Sequence, residues 1–412
     1  MSRHVLVLGA GMVGTCTALH LALRGHAVTL VDRREPGRET SYGNAGLIQR
    51  EAVEPYAFPR DVATLLRVAL KRGADVNYHL AALPGLAGSL ARYWAASHPL
   101  RHARISRDYA ALIEHSTSEH HALATLAGAD DLLRREGYRW VFRTEAALQE
   151  AARRAGRLGA SHGLRHAVLD GAQLASAEPA LHRPAAGAIH WLDPWSVADP
   201  GQLVGRYAKA LIDRGGRLLL GEATTLSPAG SGWRVRTDAG DVEAEQAVIA
   251  LGPWSAALLQ TLGYRYPLFV KRGYHRHYES ATPPRLSLYD VESGLVIGPM
   301  EQGVRITTGA EFAQLDAAPT PVQMQRAEAL ARQLVTLGRP VEPEPWLGAR
   351  PCTADMLPVI GNAPRHRGLW FNLGHAHQGF TLGPVSGRLL AEMMCSEPAL
   401  VDPTPYAPAR FE

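Results

Sequence analysis

The chain has 412 residues, 46% of them hydrophobic and 20% charged, so it contains enough apolar material for a folded core and enough length for two or three domains. Its formal net charge of +4 comes almost entirely from arginine, because lysine occurs only at Lys71, Lys209 and Lys271. This excess is spread along the chain, which argues against nucleic-acid binding and is compatible with anionic substrates or contact with a membrane surface.

The cysteine content and the apolar segments indicate where in the cell the protein is expected. Cys16, Cys352 and Cys395 are too few and too scattered for a disulfide framework or a zinc cluster, as in a reducing cytoplasm. The first apolar run is short and passes directly into a glycine pattern, which predicts a β-strand and not a secretory leader. No apolar stretch approaches the roughly 20 residues that span a bilayer. We expect a cytoplasmic protein, with peripheral contact to the inner membrane as an open alternative.

The first 32 residues predict a βαβ unit. Residues 5–8 form a continuous apolar run typical of a parallel strand that is buried on both faces. Residues 15–24 carry apolar side chains at helical spacing, and residues 28–31 read as a second strand. Residues 56–148 are mainly helical in pattern, with breaks at Pro84, Gly85 and Pro99 and a strand at 137–142.

The remaining chain alternates between two kinds of pattern. Residues 200–214 predict a helix and residues 245–250 a buried strand, whereas residues 264–312 show short alternating strands typical of an antiparallel sheet. A helix at 321–337 is followed by a strand at 368–373, a glycine loop and a helix at 385–394. The predicted fold class is therefore α/β plus α+β, in which α/β segments are interleaved with helical and antiparallel segments.

The glycine pattern after the first strand predicts a dinucleotide site. Gly9, Gly11 and Gly14 follow a strand and open a helix, where they allow a tight turn, close approach of a pyrophosphate and close packing of helix on strand. Asp32 ends the second strand, where it can accept hydrogen bonds from an adenosine ribose. FAD and NAD share this pattern. A single such site, and the small and hydroxyl side chains of "ETSYGNAG", favour the longer cofactor.

Six blocks of the chain resemble the D-amino-acid oxidase superfamily of flavoproteins, specifically the bacterial branch of D-amino-acid dehydrogenases and glycine oxidases. They occur in the family's order over nearly the whole chain, and the last is most similar to that of D-hydroxyproline dehydrogenases. The blocks are "VLVLGAGMVG" with Asp32, "TSYGNAGL", "VADPGQLV" at 197–204, "AVIALGPWS" at 247–255, "GARPCTADMLPVIG" at 348–361 and "LGHAHQGFTLGPVSGRLLAE" at 373–392.

The resemblance implies a Rossmann-type FAD-binding domain with an interleaved antiparallel-sheet substrate domain that forms a roof over the flavin. We expect residues 1–80, 145–180, 196–262 and 346–412 in the FAD-binding domain, and residues 81–144, 181–195 and 263–345 in the substrate domain. The implied FAD-binding residues are Gly9, Gly11, Met12, Val13, Gly14, Asp32, Arg33, Thr40, Ser41, Asn44, Ala45, Gly46, Gly252, Trp254, Gly374, His375, Gln378 and Gly379.

The implied substrate-binding residues centre on Arg350. It matches the arginine that grips the substrate carboxylate in glycine oxidases, a task that suits a planar guanidinium because it can bind both oxygens. His375 and His377 raise the question of a metal site, but no further ligands stand at suitable spacing and we expect no metal. If the loop is extended, both histidines point the same way. His377 then matches a substrate-facing arginine of glycine oxidases, and this departure suggests a different substrate.

Five further positions refine the expectation. By resemblance Lys271, Tyr274 and His275 lie on a roof strand, and Tyr274 is a candidate for closing the pocket. Thr307 aligns with a lysine that promotes oxygen reaction in sarcosine oxidases, which favours a dehydrogenase that passes electrons to a quinone or another carrier. Cys352 is not at the position of a covalent flavin link in this branch.

The sequence therefore predicts an FAD-dependent dehydrogenase of D-amino or D-imino acids, with cis-4-hydroxy-D-proline as the preferred substrate and His377, Tyr274 or Glu311 near its ring hydroxyl. A broad D-amino-acid dehydrogenase and a glycine or sarcosine oxidase are alternatives within enzymes. A non-catalytic FAD-binding subunit or redox sensor is the alternative outside them. A partner subunit that takes the electrons is also compatible with the sequence.

Overall fold

The computed structural model describes residues 3–71 and 73–412. In chain order its strands are β1 (His4–Leu8), β2 (Ala27–Asp32), β3 (Leu47–Ile48), β4 (Val76–Tyr78), β5 (Leu133–Arg134), β6 (Tyr138–Phe142), β7 (His166–Asp170), β8 (Gly187–Trp191), β9 (Trp195–Val197), β10 (Arg217–Ala229), β11 (Gly232–Thr237), β12 (Gly240–Ala244), β13 (Gln246–Ile249), β14 (Phe269–Tyr278), β15 (Leu288–Asp290), β16 (Leu295–Met300), β17 (Gly303–Thr307), β18 (Ala310–Phe312), β19 (Trp346–Cys352), β20 (Val359–Asn362) and β21 (Leu369–Leu373). Its α-helices are α1 (Met12–Leu23), α2 (Val62–Ala69), α3 (Leu83–Ala96), α4 (Pro99–Glu114), α5 (Ser116–Leu126), α6 (Glu145–His162), α7 (Gly171–Ala177), α8 (Pro200–Ile212), α9 (Ser255–Thr261), α10 (Val322–Ala331) and α11 (Gly379–Cys395).

The first sheet has a parallel centre. Its strand order is β12-β11-β10-β2-β1-β13-β21-β20, and the run from β10 to β21 is parallel throughout. The side chains of residues 5–8 are fully buried. Helices α1, α8 and α11 cover one face of the parallel strands, and strands β10–β12 with α9 cover the other. This is the Rossmann-type arrangement that the glycine pattern predicts, and it confirms the mixed α/β fold class.

Helix α11 packs along α1 and contains a proline that removes one of its backbone hydrogen bonds. Pro384 lies inside α11 and has no N–H, so the carbonyl of Phe380 has no donor one turn further along the helix. The imidazole of His120, on α5, makes a hydrogen bond of 2.9 Å to that carbonyl through Nε2. The helix therefore passes through the proline with its freed carbonyl satisfied.

The second sheet is mainly antiparallel and lies opposite the carboxyl ends of the first. Its order is β4-β18-β14-β17-β16-β15-β6-β8-β7, and β19 pairs with β14 from outside this path. Two of its pairs, β4 with β18 and β6 with β15, are parallel. A small third sheet, β3-β9-β5, completes the set. The antiparallel sheet expected from residues 264–312 is confirmed.

Strand pairing corrects three of the expected domain segments. Strands β4, β7 and β19 fall within segments assigned to the FAD-binding part, yet each pairs within the second sheet. Their pairing partners lie up to about 230 residues away along the chain, as in β4 with β18, so local composition gives no sign of them. The other boundaries stay a prediction.

Several helix ends also differ from the predicted ones. Helix α1 begins three residues early at Met12, α10 ends at Ala331, and α11 begins at Gly379, before Pro384. Pro84 and Pro99 each stand in the first turn of a helix, where a missing N–H costs nothing. Within residues 3–71 and 73–412, no helix combines the length and apolar character needed to cross a membrane.

Candidate active site

A cavity of about 600 Å³ lies between the two main sheets. Its floor is formed by residues at the carboxyl ends of β1, β2, β13 and β21, which is where ligands bind in open α/β sheets. Its roof comes from β14, β17, β18 and β19 of the second sheet. The predicted sites on the two sheets therefore open into one cavity.

The glycine turn at the floor fits a dinucleotide. Gly9 has a φ of +108°, and a Cβ there would overlap the carbonyl oxygen of Ala250, so the turn requires glycine. At Gly11 a Cβ would lie 3.3 Å from Ser41 Oγ, which means that a side chain would fill the space left for a pyrophosphate. The Ser41 hydroxyl accepts a hydrogen bond of 2.9 Å from Met12 N and thereby ties the following loop to the start of α1.

Most of the expected cofactor residues line this cavity. Gly14, Gly46 and Gln378 do not line it. Gly14 instead allows close packing, since a Cβ there would overlap Gly9 O, and the Gln378 side-chain amide donates to Gln49 Oε1 at 2.8 Å. The expected residues that do line it are Gly9, Gly11, Met12, Val13, Asp32, Arg33, Thr40, Ser41, Asn44, Ala45, Gly252, Trp254, Gly374, His375 and Gly379.

Asp32 lies where a ribose would bind, but its carboxylate already has protein partners. One oxygen accepts from Ala10 N at 2.6 Å and the other from Arg34 N at 3.1 Å. Burial raises the pKa of this carboxyl group above its usual range. A carboxylate can accept about four hydrogen bonds, so two acceptor positions are left for ribose hydroxyls. The neighbouring Arg33 lies 4.2 Å above the Trp254 ring.

The loop from Thr40 to Gly46 is held against the roof. Thr40 Oγ1 donates to Ala349 O at 2.9 Å, and Arg305 donates to the carbonyl oxygens of Tyr42 and Asn44 at 2.9 and 2.6 Å. These bonds join the floor and the roof on one side of the cavity, where the sequence predicts that the longer cofactor passes.

The two histidines of "GHAHQGF" have different surroundings. Ala376 has a φ of +51° and begins a 3₁₀ turn, Ala376–Gln378, so the expectation of an extended loop with both side chains on one side is wrong. His375 Nε2 is 3.0 Å from Ser386 Oγ of α11, whereas the ring of His377 packs against Tyr56 at 4.6 Å between centroids. Burial lowers the pKa of each to about 3, so both are neutral near pH 7.

Arg350 projects from β19 into the roof of the cavity. Its Nη1 donates to Gly309 O at 2.7 Å and its Nη2 to Thr308 O at 3.3 Å. Arg350 as a whole is partly buried and lines the cavity, and none of the ion pairs found in residues 3–71 and 73–412 involves it. A cation whose donors are only partly used is suited to bind an anionic ligand.

Tyr274 and Glu311 are not available to a ligand as expected. Side chains alternate along β14, so Tyr274 lies on the opposite face from Lys271. There its hydroxyl donates to Glu311 Oε1 at 3.1 Å and accepts from Thr320 N at 2.7 Å. Glu311 also forms a buried ion pair of 2.6 Å with Arg272. Tyr274 is among the residues that line the cavity, but its hydroxyl and the Glu311 carboxylate are engaged with protein partners and are therefore not free for a ligand in the way that the sequence predicts.

Three residues that line the cavity were not assigned a role from the sequence. Tyr56 and Tyr93 come from a helical region with no motif, and Lys271 was placed on the roof strand without a role. Lys271 Nζ lies 3.3 Å from the hydroxyl of Tyr93 and 4.4 Å from the centre of its ring. Cys352 also lines this end, where burial raises the pKa of its thiol and disfavours the thiolate.

One cluster of metal-ligand type occurs where the sequence predicts none. Donor atoms of His275, His277 and Glu342 lie within 4.8 Å of one another. However, His277 Nδ1 bonds to Glu342, and His277 Nε2 accepts a hydrogen bond of 2.8 Å from Arg305. A metal on Nδ1 would require a proton on Nε2, which would then face the arginine donor. Arg305, His277 and Glu342 therefore form a hydrogen-bonded chain under the roof, and the ring of His275 stacks on that of Trp346 at 4.8 Å between centroids.

Comparisons with known proteins agree with this architecture. A family model described as FAD dependent oxidoreductase, DAO, matches residues 4–393. The chain is 31% identical over 424 aligned residues to a D-amino-acid oxidase of Bradyrhizobium diazoefficiens, with 99% of each chain covered. It is 30% identical over 418 residues to a D-amino acid dehydrogenase of Chromohalobacter salexigens, again with 99% of each covered.

Solved structures show the same fold at lower identity. Glycine oxidase from Geobacillus kaustophilus superposes with a TM-score of 0.74 at 22% identity and 98% coverage of both chains. L-Proline dehydrogenase from P. horikoshii superposes with a TM-score of 0.71 at 16% identity, covering 100% of this chain and 97% of that one.

Proposed function

Because this chain belongs to the DAO family of FAD-dependent oxidoreductases, we propose that it oxidises a D-amino or D-imino acid at the α-carbon. Its cofactor is FAD. The names of its relatives support the substrate class, since they include a D-amino-acid oxidase and a D-amino acid dehydrogenase at 30–31% identity. The observation that carries the proposal is Arg350, an unpaired guanidinium at the roof of the cavity above the dinucleotide site.

The residues present can hold the cofactor and orient the substrate. The glycine turn, Asp32 and the loop from Thr40 to Gly46 would hold FAD, and bound FAD supplies a hydride acceptor for the substrate α-carbon. Arg350 would bind both oxygens of the substrate carboxylate and fix the α-carbon in one orientation. The 374–379 segment leads into α11, whose N-terminus favours negative charge nearby. Neutral His377 adds a hydrogen-bonding group without adding charge.

The finer substrate assignment rests on His377. Of the three polar groups expected near the ring hydroxyl of cis-4-hydroxy-D-proline, the Tyr274 hydroxyl and the Glu311 carboxylate are engaged with each other, whereas the His377 imidazole lines the cavity without a polar side-chain partner of this kind. A neutral imidazole can donate or accept one hydrogen bond to a hydroxyl group. Hydroxyproline is therefore kept as a specific substrate to test, beside the broader D-amino acids.

The proposed electron acceptor is a quinone or another carrier. Thr307, where a lysine is expected in oxygen-reactive relatives, is buried and lines the cavity. Contact with a membrane surface would give access to a quinone, and α2 supports this part of the proposal. Its Thr64, Leu65 and Val68 face the cavity, while Val62 and Leu66 are 80% and 57% exposed. An exposed apolar stripe on a cavity wall suits peripheral contact with lipid. A partner subunit as acceptor stays a prediction.

An anaerobic assay tests the function. D-Hydroxyproline, D-proline, D-alanine and sarcosine are added separately to the purified FAD-loaded protein without oxygen, and the flavin absorbance near its visible maximum is followed. Bleaching by a D-amino or D-imino acid is the expected result. No bleaching by any of them would overturn the proposal and favour a non-catalytic FAD-binding protein. Oxygen consumption by the bleaching substrate would then separate an oxidase from a dehydrogenase.

A further inference from the structure

Two cationic side chains lie next to each other on the roof of the cavity. Lys271 of β14 stands directly opposite Arg350 of β19 in the antiparallel register. Opposite residues in such a pair project to the same face with Cβ atoms about 5 Å apart. Both residues line the cavity. Like charges placed directly opposite each other are destabilising, so this arrangement needs a reason.

No acidic side chain compensates this pair in the described structure. The ion pairs formed by residues 3–71 and 73–412 include neither cation, and no carboxylate contributes to the electrostatic environment of either one. Burial, with the Arg350 charge as a smaller cause, lowers the pKa of Lys271. An anion bound beside Lys271 would reverse both effects. Buried charges are normally paired, and an unpaired one facing a cavity indicates a ligand of opposite sign.

The lysine is held in position by aromatic rings. Its Nζ lies 4.4 Å from the ring centre of Tyr93, 5.6 Å from that of Phe269 and 5.8 Å from that of Phe312. These cation–π contacts favour the ammonium form and fix its location. The Tyr93 hydroxyl accepts one of its three N–H bonds, which leaves donors for a ligand.

The other titratable groups at this end are neutral near pH 7. Burial lowers the pKa of His377 to about 3 and raises the pKa values of the Cys352 thiol and the Tyr56 and Tyr93 phenols. In the ammonium form of Lys271 that the cation–π contacts favour, Lys271 and Arg350 together carry a charge of +2 before a substrate enters. One α-carboxylate on Arg350 neutralises half of it.

We propose that Lys271 binds a second carboxylate, so that the site takes acidic D-amino acids such as D-glutamate and D-aspartate. This inference rests on the proposed function and extends it. Arg350 binds the α-carboxylate, and Lys271 binds the side-chain carboxylate beside it. The Arg350 guanidinium lies against Gly273, and the Lys271 ammonium lies among the rings of Tyr93, Phe269 and Phe312. The two cations therefore offer separate positions for the two carboxylates of one ligand.

The kinetic test compares D-glutamate with D-glutamine, which has the same shape and no second charge. The wild-type protein is expected to bleach with a kcat/KM at least about 10-fold higher for D-glutamate. Lys271→Met should reduce that ratio by about 10- to 100-fold, the range for losing a hydrogen bond to a charged group. Lys271→Arg should retain most of it. Lys209→Met removes an exposed lysine that pairs with Asp213 and is the control for net charge.

Two outcomes would overturn the proposal. If Lys271→Met slows both substrates equally and shifts the acidic limb of the pH profile, the lysine acts as a base for the substrate amine. If the ratio is near 1 in the wild type and in Lys271→Met, the lysine is held by the aromatic rings for structure alone.

A binding measurement separates this inference from the proposed function. Glutarate, a five-carbon dicarboxylate, and butyrate, a monocarboxylate, are titrated into the FAD-loaded protein while its thermal unfolding midpoint and flavin spectrum are recorded. Glutarate should raise the midpoint at lower concentration than butyrate, and Lys271→Met should remove the difference. Equal effects of the two acids would overturn the second-carboxylate site even if D-alanine bleaches the flavin. If none of the amino acids bleaches the flavin, the proposed function itself is contradicted.

Discussion

The guanidinium group of Arg350 lies flat against the backbone of Gly273, where a side chain would take its place. An ideal Cβ at position 273 would lie 2.7 Å from both Nη atoms of Arg350. Gly273 stands on the central roof strand, two residues beyond Lys271. The carboxylate-binding position in the roof therefore depends on a glycine as much as on the arginine.

Gly273→Ala is expected to displace the guanidinium and to raise the KM for D-amino acids by about 10-fold or more, because a shift of about 1 Å removes bidentate geometry. Steady-state kinetics with an artificial electron acceptor measures the change, and the flavin absorbance shows whether FAD is retained. Gly205→Ala, on α8, is the control, since a Cβ there meets nothing within 4 Å. An unchanged KM in Gly273→Ala would contradict the assigned position of the arginine.

Arg350→Met is expected to lower kcat/KM for D-alanine by about 100-fold, since a charge-assisted pair of hydrogen bonds is lost. D-Alaninamide lacks the carboxylate, so its slower oxidation should change little. The ratio of the two kcat/KM values therefore reports on carboxylate binding and not on stability. Arg350→Lys should recover part of the ratio, because the charge returns without the planar fork. A ratio that Arg350→Met leaves unchanged would show that the carboxylate binds elsewhere.

His377→Ala tests the hydroxyproline assignment. The neutral imidazole lines the cavity beside Tyr56, and its loss should weaken turnover of cis-4-hydroxy-D-proline by about 10-fold more than that of D-proline. Single-turnover bleaching with each substrate gives the two rates. His366→Ala is a matched control outside the cavity, where the His366 ring contacts the hydroxyl of Tyr264. Equal losses for the two substrates would refute a contact with the ring hydroxyl.

The free energy of unfolding is expected to fall as the pH drops below 6.5. Buried histidines stay neutral in the folded protein, whereas the same side chains become protonated in the unfolded chain. Burial lowers the pKa of His20 to about 3 and that of His120 to about 4, against about 6.5 when unfolded. The stability that the neutral His20 and His120 contribute is fully present above pH 6.5 and is lost as the pH falls toward 4. Each removes up to about 1.4 kcal/mol per pH unit.

Urea unfolding of the FAD-loaded protein at pH 7, 6 and 5 measures this slope. His120→Gln should make it shallower, while it also weakens the hydrogen bond to the Phe380 carbonyl and lowers stability at pH 7 by about 1 kcal/mol. His98→Gln, at an exposed position, should change neither quantity. A slope that is the same in all three proteins would exclude His120 as a source of acid sensitivity.

Most of the floor of the site could be predicted from the sequence, because its signals are local. The glycine turn needs a strand before it and a helix after it, and both are readable within residues 4–23. The roof could not be predicted in the same way. Whether Tyr274 faces the cavity depends on the phase of one strand, and its hydroxyl is taken by Glu311, which lies 37 residues further along the chain.

The sequence by itself determined the family, the cofactor and the first βαβ unit of the nucleotide-binding sheet, since short motifs encode backbone turns and buried runs. The tertiary structure decided which polar groups meet in the cavity. Lys271 and Arg350 are 79 positions apart and become neighbours through the register of two antiparallel strands. Register depends on packing across the whole sheet, and no local pattern around either residue reports it.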